Sequence, residues 1–256
     1  MTSRPLVPVD TKGLDDVADA LLRNVQPNPD TNTQDTQSPA NIPNPDKYII
    51  LPGASYSNYA YPTMLVAMDR THQGKDWFDC HKLLAKKGDS MLTLRQYADF
   101  LRLLKSGNVL DGRAQRLSKS KVEAILDDII AVRNPARAEW LDADFKVKNN
   151  VLHINHSHNV DNKGNVVPQY SEALLSCIME NKAPGIDLED WISKANSQGL
   201  PPVSVKKGSL YYYFPLNDNN SVAGFGANSV RAFLGCGRDP SGTDSNLGVR
   251  AARKKI

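Results

Sequence analysis

The chain of 256 residues has few cysteines and no long hydrophobic run. No segment approaches the roughly 18 consecutive apolar residues that a membrane-spanning helix needs, and residues 1–10 lack the apolar core of a Sec signal. The three cysteines, Cys80, Cys177 and Cys236, form no CxxC pair, so neither a zinc knuckle nor a redox dithiol is predicted. We therefore expect no membrane span, and the sequence is compatible with a location in the cytoplasm or on a virion.

A strong charge of either sign is also missing. Lys and Arg number 31 against 28 for Asp and Glu, which gives a net charge of +3. This excess is too small and too dispersed to indicate a nucleic-acid-binding surface, so no nucleic-acid partner is expected. Because 40% of the residues are hydrophobic, the chain can form a sizeable core, which excludes fibrous and wholly disordered classes.

Two regions differ in composition near the N-terminus. Residues 26–45 are rich in Pro, Asn, Thr and Gln, which is typical of a linker or an extended arm. Residues 14–24 carry Leu and Val at helical spacing, which predicts a short amphipathic helix. We predict an arm over residues 1–46 and a globular domain over residues 47–256. The helix then docks either onto that domain or onto a larger assembly.

The pattern of the globular domain is strands, then helices, then strands again, which indicates an α+β fold. Strands are predicted at 47–53 and 62–69, and again on both sides of a turn at Asn149 and Asn150. A further turn is predicted at 161–165. Helices are predicted at 76–86, 94–106 after the N-cap Thr93, 121–133 after Ser118 or Ser120, 171–180, and 187–197 after Asp187.

Three histidines lie close together in sequence, at His153, His156 and His158. His156 and His158 share one face of a strand and offer two metal ligands. The alternative is a solvated strand end in an Asn-rich stretch, because no carboxylate or cysteine nearby in sequence completes a ligand set. No metal and no cofactor are predicted.

Residues 208–253 lack five residue types altogether. These 46 positions contain no Lys, Glu, Gln, Met or Trp, whereas residues 1–207 contain 16 Lys, 5 Glu, 8 Gln, 5 Met and 3 Trp. At the upstream frequency, about eight would be expected. Burial does not explain the gap, since the missing set mixes charged, amide and large apolar side chains. All five types have codons that end only in a purine, so codons ending in a pyrimidine can encode every residue present.

The same region alternates with period two, which predicts two faces of a strand pair. Small and apolar residues occupy one phase: Ala223, Phe225, Ala227, Ala232, Leu234 and Cys236. The other phase is chemically mixed, containing Gly, Asn, Arg and Phe, which no rule of stability requires. The mixed face is the candidate binding surface. A turn at 239–242 and a final strand at 247–253 follow.

The residues SLYYYFP at 209–215, SVAGFGANSVRAFLGCGRDPS at 221–241 and the terminal LGVRAAR resemble the variable proteins of diversity-generating retroelements, of the archaeal and archaeal-virus type. The resemblance implies a C-type-lectin-like domain of the formylglycine-generating-enzyme subtype, with helices around a small mixed or antiparallel sheet and a long irregular C-terminal region. It also implies a closing GxR strand, which Gly248, Val249 and Arg250 match. In that family an error-prone reverse transcriptase mutates adenines of a template repeat, so Asn codons become codons ending in a pyrimidine.

The resemblance implies a non-enzymatic protein that binds an unknown protein or surface ligand through a variable region at about 221–250. The expected ligand-binding positions are the outward ones: Gly224, Gly226, Asn228, Val230, Arg231, Phe233, Gly235, Gly237, Thr243, Asp244 and Asn246. Arg231 and Phe233 are the expected anchors, because Arg and aromatic side chains dominate binding surfaces.

Three alternatives remain from the sequence. A formylglycine-generating-type oxidase needs paired reactive cysteines, but only Cys236 falls in the C-terminal region and it lies on the apolar phase. A fixed-ligand lectin that uses calcium could take oxygen ligands from residues 217–220. A structural virion or tail component is compatible with a binding domain, since the arm could attach it to an assembly.

Overall fold

A computed structural model describes residues 44–179 and 185–255. The predicted arm over residues 1–46, its helix at 14–24 and the docking role assigned to them lie almost wholly outside these residues. The helices are α1 (Trp77–Ala85), α2 (Leu94–Ser106), α3 (Lys119–Ile130) and α4 (Leu188–Lys194). The strands are β1 (Tyr48–Leu51), β2 (Ala54–Ser55), β3 (Ala60–Tyr61), β4 (Met64–Thr71), β5 (Ser90–Met91), β6 (Arg137–Lys148), β7 (Val151–Val160), β8 (Val166–Ala173), β9 (Gly185–Ile186), β10 (Leu210–Tyr213), β11 (Ser221–Ala227), β12 (Ala232–Arg238) and β13 (Leu247–Lys254).

Each helix begins at a polar side chain that accepts a hydrogen bond from the first turn, as helix N-termini require. Asp76, Thr93, Ser118 and Asp187 are the four N-caps. Helix α2 ends at Gly107, whose φ of 71° is the left-handed conformation that favours glycine. These starts and this stop confirm the predicted helices at 76–86 and 94–106.

Three helix predictions need correction. The helix predicted at 187–197 ends at Lys194, because Asn196 Oδ1 accepts from the backbone N–H groups of Gln198 and Leu200 and closes a turn there. Residues 171–173 belong to strand β8, where Ser171 pairs with Asn155, and no helix occurs over the described residues 174–179. Pairing with β7 therefore overrides the helical spacing of the apolar residues in this segment. The third helix also ends at Ile130 rather than Arg133, because the Arg133 backbone N–H donates to Asn228 in the β11–β12 turn.

The fold is α+β, and its described strands form one mixed sheet of eleven strands with a separate β2–β3 pair. The main path runs β1-β4-β13-β6-β11-β12-β10-β9, while β7 and β8 extend from β6 and β5 pairs with β13. The pairs β13–β6 and β10–β12 are parallel. The expectation of a small sheet and an irregular C-terminal region is wrong, because residues 210–254 contribute four strands to a large sheet.

The three predicted turns are present, and the turn at 239–242 is closed by the Gly242 N–H, which donates to the Asp239 carbonyl. Asn149 and Asn150 connect β6 to β7 with φ values of 52° and 63°, the pair of left-handed residues that a type I′ hairpin turn needs. The β7–β8 turn is closed by Asp161, whose Oδ1 accepts from the backbone N–H groups of Lys163 and Asn165. The β6–β7 and β7–β8 turns set the register of the three strands that extend from the centre of the sheet.

The central strands are covered on both sides. On the inner face, which we define as the side that packs against α2, α3 and α4, the core includes Phe100, Ile129 and Trp191. On the outer face, which is the opposite side, α1 packs against a smaller cluster that includes Trp77 and Trp140. The inner face therefore contains most of the apolar core. On the outer face, α1 does not cover β10, β11 and β12.

A buried charge network ties the last strand to the inner face. Arg250 donates from Nε to Glu139 Oε2 at 3.2 Å and also to the backbone carbonyls of Ala67 and Met68, and Arg137 Nη1 lies 2.9 Å from Glu139 Oε1. Burial alone would raise the pKa of Glu139, but the two guanidinium groups outweigh it and hold the pKa at about 2. The network gives Arg250 a structural role, because it joins β13 to β4 and β6.

Candidate functional site

The β11–β12 hairpin contains the alternation that the sequence analysis singled out. Phe225 pairs with Leu234 and Gly226 with Phe233 across the two strands. The apolar phase faces inward, since five of its members are 0% exposed: Ala223, Phe225, Ala227, Leu234 and Cys236. Ala232, at the strand start, is half-buried and packs against the same core. The prediction that this phase packs inward is confirmed.

The expectation that Gly224, Gly226 and Gly235 are exposed is wrong, because all three are buried. They occupy the outer phase, but longer side chains cover them. A Cβ at Gly224 would lie 2.8 Å from Arg238 Cδ, and one at Gly226 would lie 2.9 Å from Phe233 Cζ. These glycines make room for a layer of side chains above them and are not themselves at the surface.

The glycines differ in how closely neighbouring atoms approach the position of an added Cβ. At Gly226 an added Cβ would also approach the backbone oxygen of Arg137 at 2.9 Å, and backbone atoms cannot move aside cheaply. At Gly235 the nearest atom would be Arg238 Cγ at 3.5 Å, an ordinary contact. Gly226 is therefore fixed by packing, whereas Gly235 can accept a side chain.

Arginines and aromatic rings form the layer that covers these glycines. Arg231 lies over the Tyr211 ring, with its guanidinium carbon 4.0 Å from the ring centroid. Phe233 meets Tyr213 edge to face at 6.1 Å, and Arg238 lies over Trp140 and Phe233 at 5.4 and 5.9 Å. We call Tyr211, Tyr213, Arg231, Phe233 and Arg238 the arginine–aromatic layer. Strands β10 and β12 and the turn before β12 present it on the outer face.

The sequence analysis missed Arg238 as a candidate site residue. Strict alternation from Arg231 places it inward, but the β11–β12 register shifts: Gly224 pairs with Gly235 and Val222 with Arg238. The extra residue in β12 is a bulge, which returns Arg238 to the outer face. Glycine at both Gly235 and Gly237 is the signal that could have indicated this bulge.

The layer offers hydrogen-bond donors that the protein does not use. The Nε atoms of Arg231 and Arg238 are buried and have no hydrogen-bond partner among the described residues. Burial lowers the pKa of Arg238, and the nearby Asp244 carboxylate opposes this effect. Because guanidinium groups stay protonated and stack on rings, the layer can bind acidic or aromatic groups of a partner.

The turn between β11 and β12 places Val230 outward. Asn228 Oδ1 accepts from the backbone N–H groups of Val230 and Arg231, both at 2.9 Å. The half-buried Asn228 side chain therefore holds the turn, while the Val230 side chain is 72% exposed. Of the predicted residues in this turn, Val230 is exposed and Arg231 is half-buried, while Asn228 shapes the loop.

The loop before β13 contains the remaining predicted positions. Thr243 and Asp244 are exposed, and Asp244 Oδ1 accepts from the Asn246 backbone N–H at 2.8 Å. Asn246 is half-buried, and its carbonyl accepts from Arg70 Nη1 at 2.7 Å. Gly237, also half-buried, lies against Leu216. Thr243 and Asp244 thus flank the Arg238 end of the layer, while Val230 flanks the Arg231 end.

The geometry bears on the two alternative chemistries. Cys236 is 0% exposed, and burial raises the pKa of its thiol well above the ordinary value, which opposes thiolate reactivity. In the 217–220 loop, Asp218 Oδ1 accepts from the Asn220 backbone and Ser221 hydroxyl, and Asn219 Oδ1 accepts from the Val147 N–H. These oxygens hold the loop, so they are engaged without a cation.

The three clustered histidines do not meet at one point. His153 Nδ1 lies 3.0 Å from the Val151 carbonyl, His156 stacks on Tyr170, and His158 Nδ1 lies 2.5 Å from Asp142 Oδ1. The carboxylate that the sequence did not place near His158 comes from β6, which pairs with β7.

Comparisons of the chain with protein-family models, with curated proteins and with solved structures find no match. Over residues 44–179 and 185–255, no helix combines the length and the hydrophobicity that crossing a membrane takes.

Proposed function

We propose that this protein is a non-enzymatic ligand-binding protein whose outer-face surface at 221–250 is diversified by adenine-directed retroelement mutagenesis. Its body is a C-type-lectin-like domain of the formylglycine-generating-enzyme subtype, and its target is a protein or another surface ligand. The proposal rests first on the resemblance of the C-terminal residues to that family.

The observation that carries the proposal is the coincidence of two patterns. The region without Lys, Glu, Gln, Met and Trp covers strands β10 to β12, strand β13 as far as Arg253, and the loops between them. Within it, the apolar phase is buried except for the half-buried Ala232, while the arginine–aromatic layer and the two exposed loops lie outside the core. Codon-level diversification limited to that side would leave the core intact.

The expected changes in the free energy of unfolding favour a fixed core and a variable outer surface. Exposed positions typically change the free energy of unfolding by about 0.5 kcal/mol or less, whereas truncation of a buried aromatic costs about 3–5 kcal/mol. A side chain at Val230 or Thr243 can therefore vary without unfolding the domain. A side chain at Phe225 cannot.

The binding chemistry follows from the side chains now present. Arg and aromatic residues are the commonest anchors at protein interfaces, and this surface combines Arg231 and Arg238 with three rings. The protonated guanidinium groups of Arg231 and Arg238 favour a partner that supplies carboxylate or carbonyl oxygens. The small residues Gly235 and Gly237 leave a shallow surface, so this copy is expected to bind through the layer and the loops together.

The DNA that flanks the gene tests the proposal. A second, non-coding copy of codons 221–250 is expected beside a reverse-transcriptase gene, differing from the coding copy only where the non-coding copy has adenine. The mismatched codons should include those for Val230, Arg231, Phe233, Thr243 and Asp244. Flanking DNA that holds no such copy would overturn the proposal and leave a lectin-like domain with one fixed ligand.

A further inference from the structure

A buried cluster of metal-ligating side chains lies away from the arginine–aromatic layer, where α1, β6 and β7 meet. Its members are His81, Asp142 and His158, and one ligand atom from each lies within 4.8 Å of the other two. All three residues are buried. His81 Nε2 lies 3.8 Å from Asp142 Oδ1, and His158 Nδ1 lies 2.5 Å from the same oxygen.

The hydrogen bonds within this cluster leave one strong group unused. His81 is only 4% exposed, and its Nε2 is buried without a hydrogen-bond partner among the described residues. A buried polar atom without a partner is costly, and a native structure keeps few of them. The unused nitrogen faces a carboxylate oxygen at a distance too long for a hydrogen bond but suited to a shared cation.

The surroundings support ligation by His158. Its Nε2 lies 3.2 Å from Asp144 Oδ1, and its backbone N–H donates to Asp142 Oδ2 at 3.1 Å. A carboxylate that holds the far nitrogen of an imidazole is the usual second partner of a metal-bound histidine, because it fixes the ring orientation. Asp144 is in position to do this when His158 Nδ1 binds a metal.

A path for a cation reaches the cluster from outside. A cleft of about 310 Å³ is lined by His158 and Asp144 together with Trp77, Phe78 and Lys146. Of the three residues of the cluster, only His158 lines this cleft. A ligand from the cleft, such as water, can complete the coordination.

We propose that His81 Nε2, Asp142 Oδ1 and His158 Nδ1 form a binding site for a divalent transition metal of the Zn²⁺ type, with its fourth coordination position toward this cleft. Two imidazoles and one carboxylate are a ligand set that Zn²⁺ accepts, whereas Mg²⁺ and Ca²⁺ prefer oxygen ligands. Ligands at about 2.0–2.2 Å from Zn²⁺ in tetrahedral geometry are about 3.4 Å apart. The two distances from Asp142 Oδ1 lie on either side of that value, so small side-chain rotations suffice.

Metal binding here displaces a proton and nothing else. The proton shared by His158 Nδ1 and Asp142 leaves to solvent as the nitrogen lone pair binds the cation, as metal binding by histidine requires. The site joins one helix to two strands of the sheet. None of its three ligands lies in the proposed variable region at 221–250, although Val222 and Pro240 of that region line part of the cleft beside it.

Calorimetry with Zn²⁺ tests the site. The full chain, prepared without a histidine tag and stripped of metal with a chelator, is expected to bind one Zn²⁺ per molecule. His81→Gln should weaken this binding by at least ~10-fold, because it removes one of three protein ligands. His153→Gln is the matched control, since that histidine is on the same strand as His158 but outside the cluster, and it should leave binding unchanged.

Two further measurements keep the result decisive. His81→Gln removes a nitrogen that makes no hydrogen bond, so the variant should fold, and circular dichroism checks this. At the same Zn²⁺ concentration, the melting temperature of the wild type and of His153→Gln should rise more than that of His81→Gln. Absence of saturable Zn²⁺ binding by the wild type, or equal binding by folded His81→Gln, would overturn the proposal.

Discussion

The inner and outer faces of the β11–β12 hairpin share one backbone and differ in what holds their side chains. On the inner face, Phe225 and Leu234 pair across the strands and are 0% exposed within the main core. On the outer face, Phe233 and Arg231 lie over other side chains and are half-buried. One hairpin therefore contains a phase that the fold requires and a phase that the fold merely accommodates.

The difference teaches that exposure along a strand does not follow from alternation alone. Gly224 and Gly226 are on the outer face but are buried, because Arg238 and Phe233 lie across them. The freedom to vary belongs to the residues at the top of this layer and in the flanking loops. Substitutions on the two faces should separate these roles.

Replacing a ring on each face should give the largest contrast. Phe225→Ala removes a fully buried ring that packs near Tyr97 and Trp191, and we expect it to lower the free energy of unfolding by about 3–5 kcal/mol. Phe233→Ala, its counterpart on the outer face, should cost about 1 kcal/mol. Urea unfolding of both variants measures the difference, and equal losses would contradict the distinction between the faces.

Acid should weaken the inner side of the sheet through Glu139. Its pKa in the folded protein is about 2, below the ordinary value of 4.5, so its stabilising effect is complete above about pH 4.5 and is lost as the pH falls toward 2. The expected loss is about 2 kcal/mol by pH 3 and about 3 kcal/mol near pH 2. Unfolding curves recorded between pH 6 and about pH 3 should show this for the wild type and for Asp244→Asn. Glu139→Gln should be less stable than the wild type at pH 6 and should not show this loss of stability in acid. If its stability fell with pH as much as that of the wild type, Glu139 would not be the source of the loss.

The two outer-face glycines should respond unequally to one methyl group. Gly226→Ala places a Cβ 2.9 Å from the Arg137 carbonyl, and we expect a loss of about 1–3 kcal/mol. Gly235→Ala meets its nearest atom at 3.5 Å and should change stability by about 0.5 kcal/mol or less. Thermal unfolding of the pair checks this, and a Gly235→Ala loss as large as that of Gly226→Ala would show that both positions are fixed.

A small effect on stability is expected for a substitution in the arginine–aromatic layer. Arg231→Ala should change the free energy of unfolding by about 0.5–1 kcal/mol, because it removes one partly exposed cation–π contact with Tyr211. A double-mutant cycle with Tyr211→Leu should return a coupling energy of the same size. Coupling of several kcal/mol would mean that Arg231 holds the fold and is not available to a ligand.

The sequence predicts the local features well. The caps at Thr93 and Asp187, and the turn at Asn149 and Asn150, are each specified by residues within a few positions of one another. The inward phase of β11 and β12 is also readable, since burial of small and apolar side chains follows the period of a strand.

Features that depend on contacts distant in sequence could not be predicted in this way. The bulge that turns Arg238 outward arises from the register between two strands, and the strand at 171–173 forms because it pairs with β7. His81 meets Asp142 and His158 only because α1 packs over the β6–β7 pair. Spacing along the chain carries no signal for that meeting.

Two matched libraries test most directly the claim that one face is fixed and the other is free. Each library replaces five positions with random codons that end in a pyrimidine. The first library varies Val230, Arg231, Phe233, Thr243 and Asp244, and the second varies Ala223, Phe225, Ala227, Leu234 and Cys236. Resistance to proteolysis reports which clones fold. We predict that most clones of the first library fold and that few of the second do. Equal folded fractions in the two libraries would contradict the account.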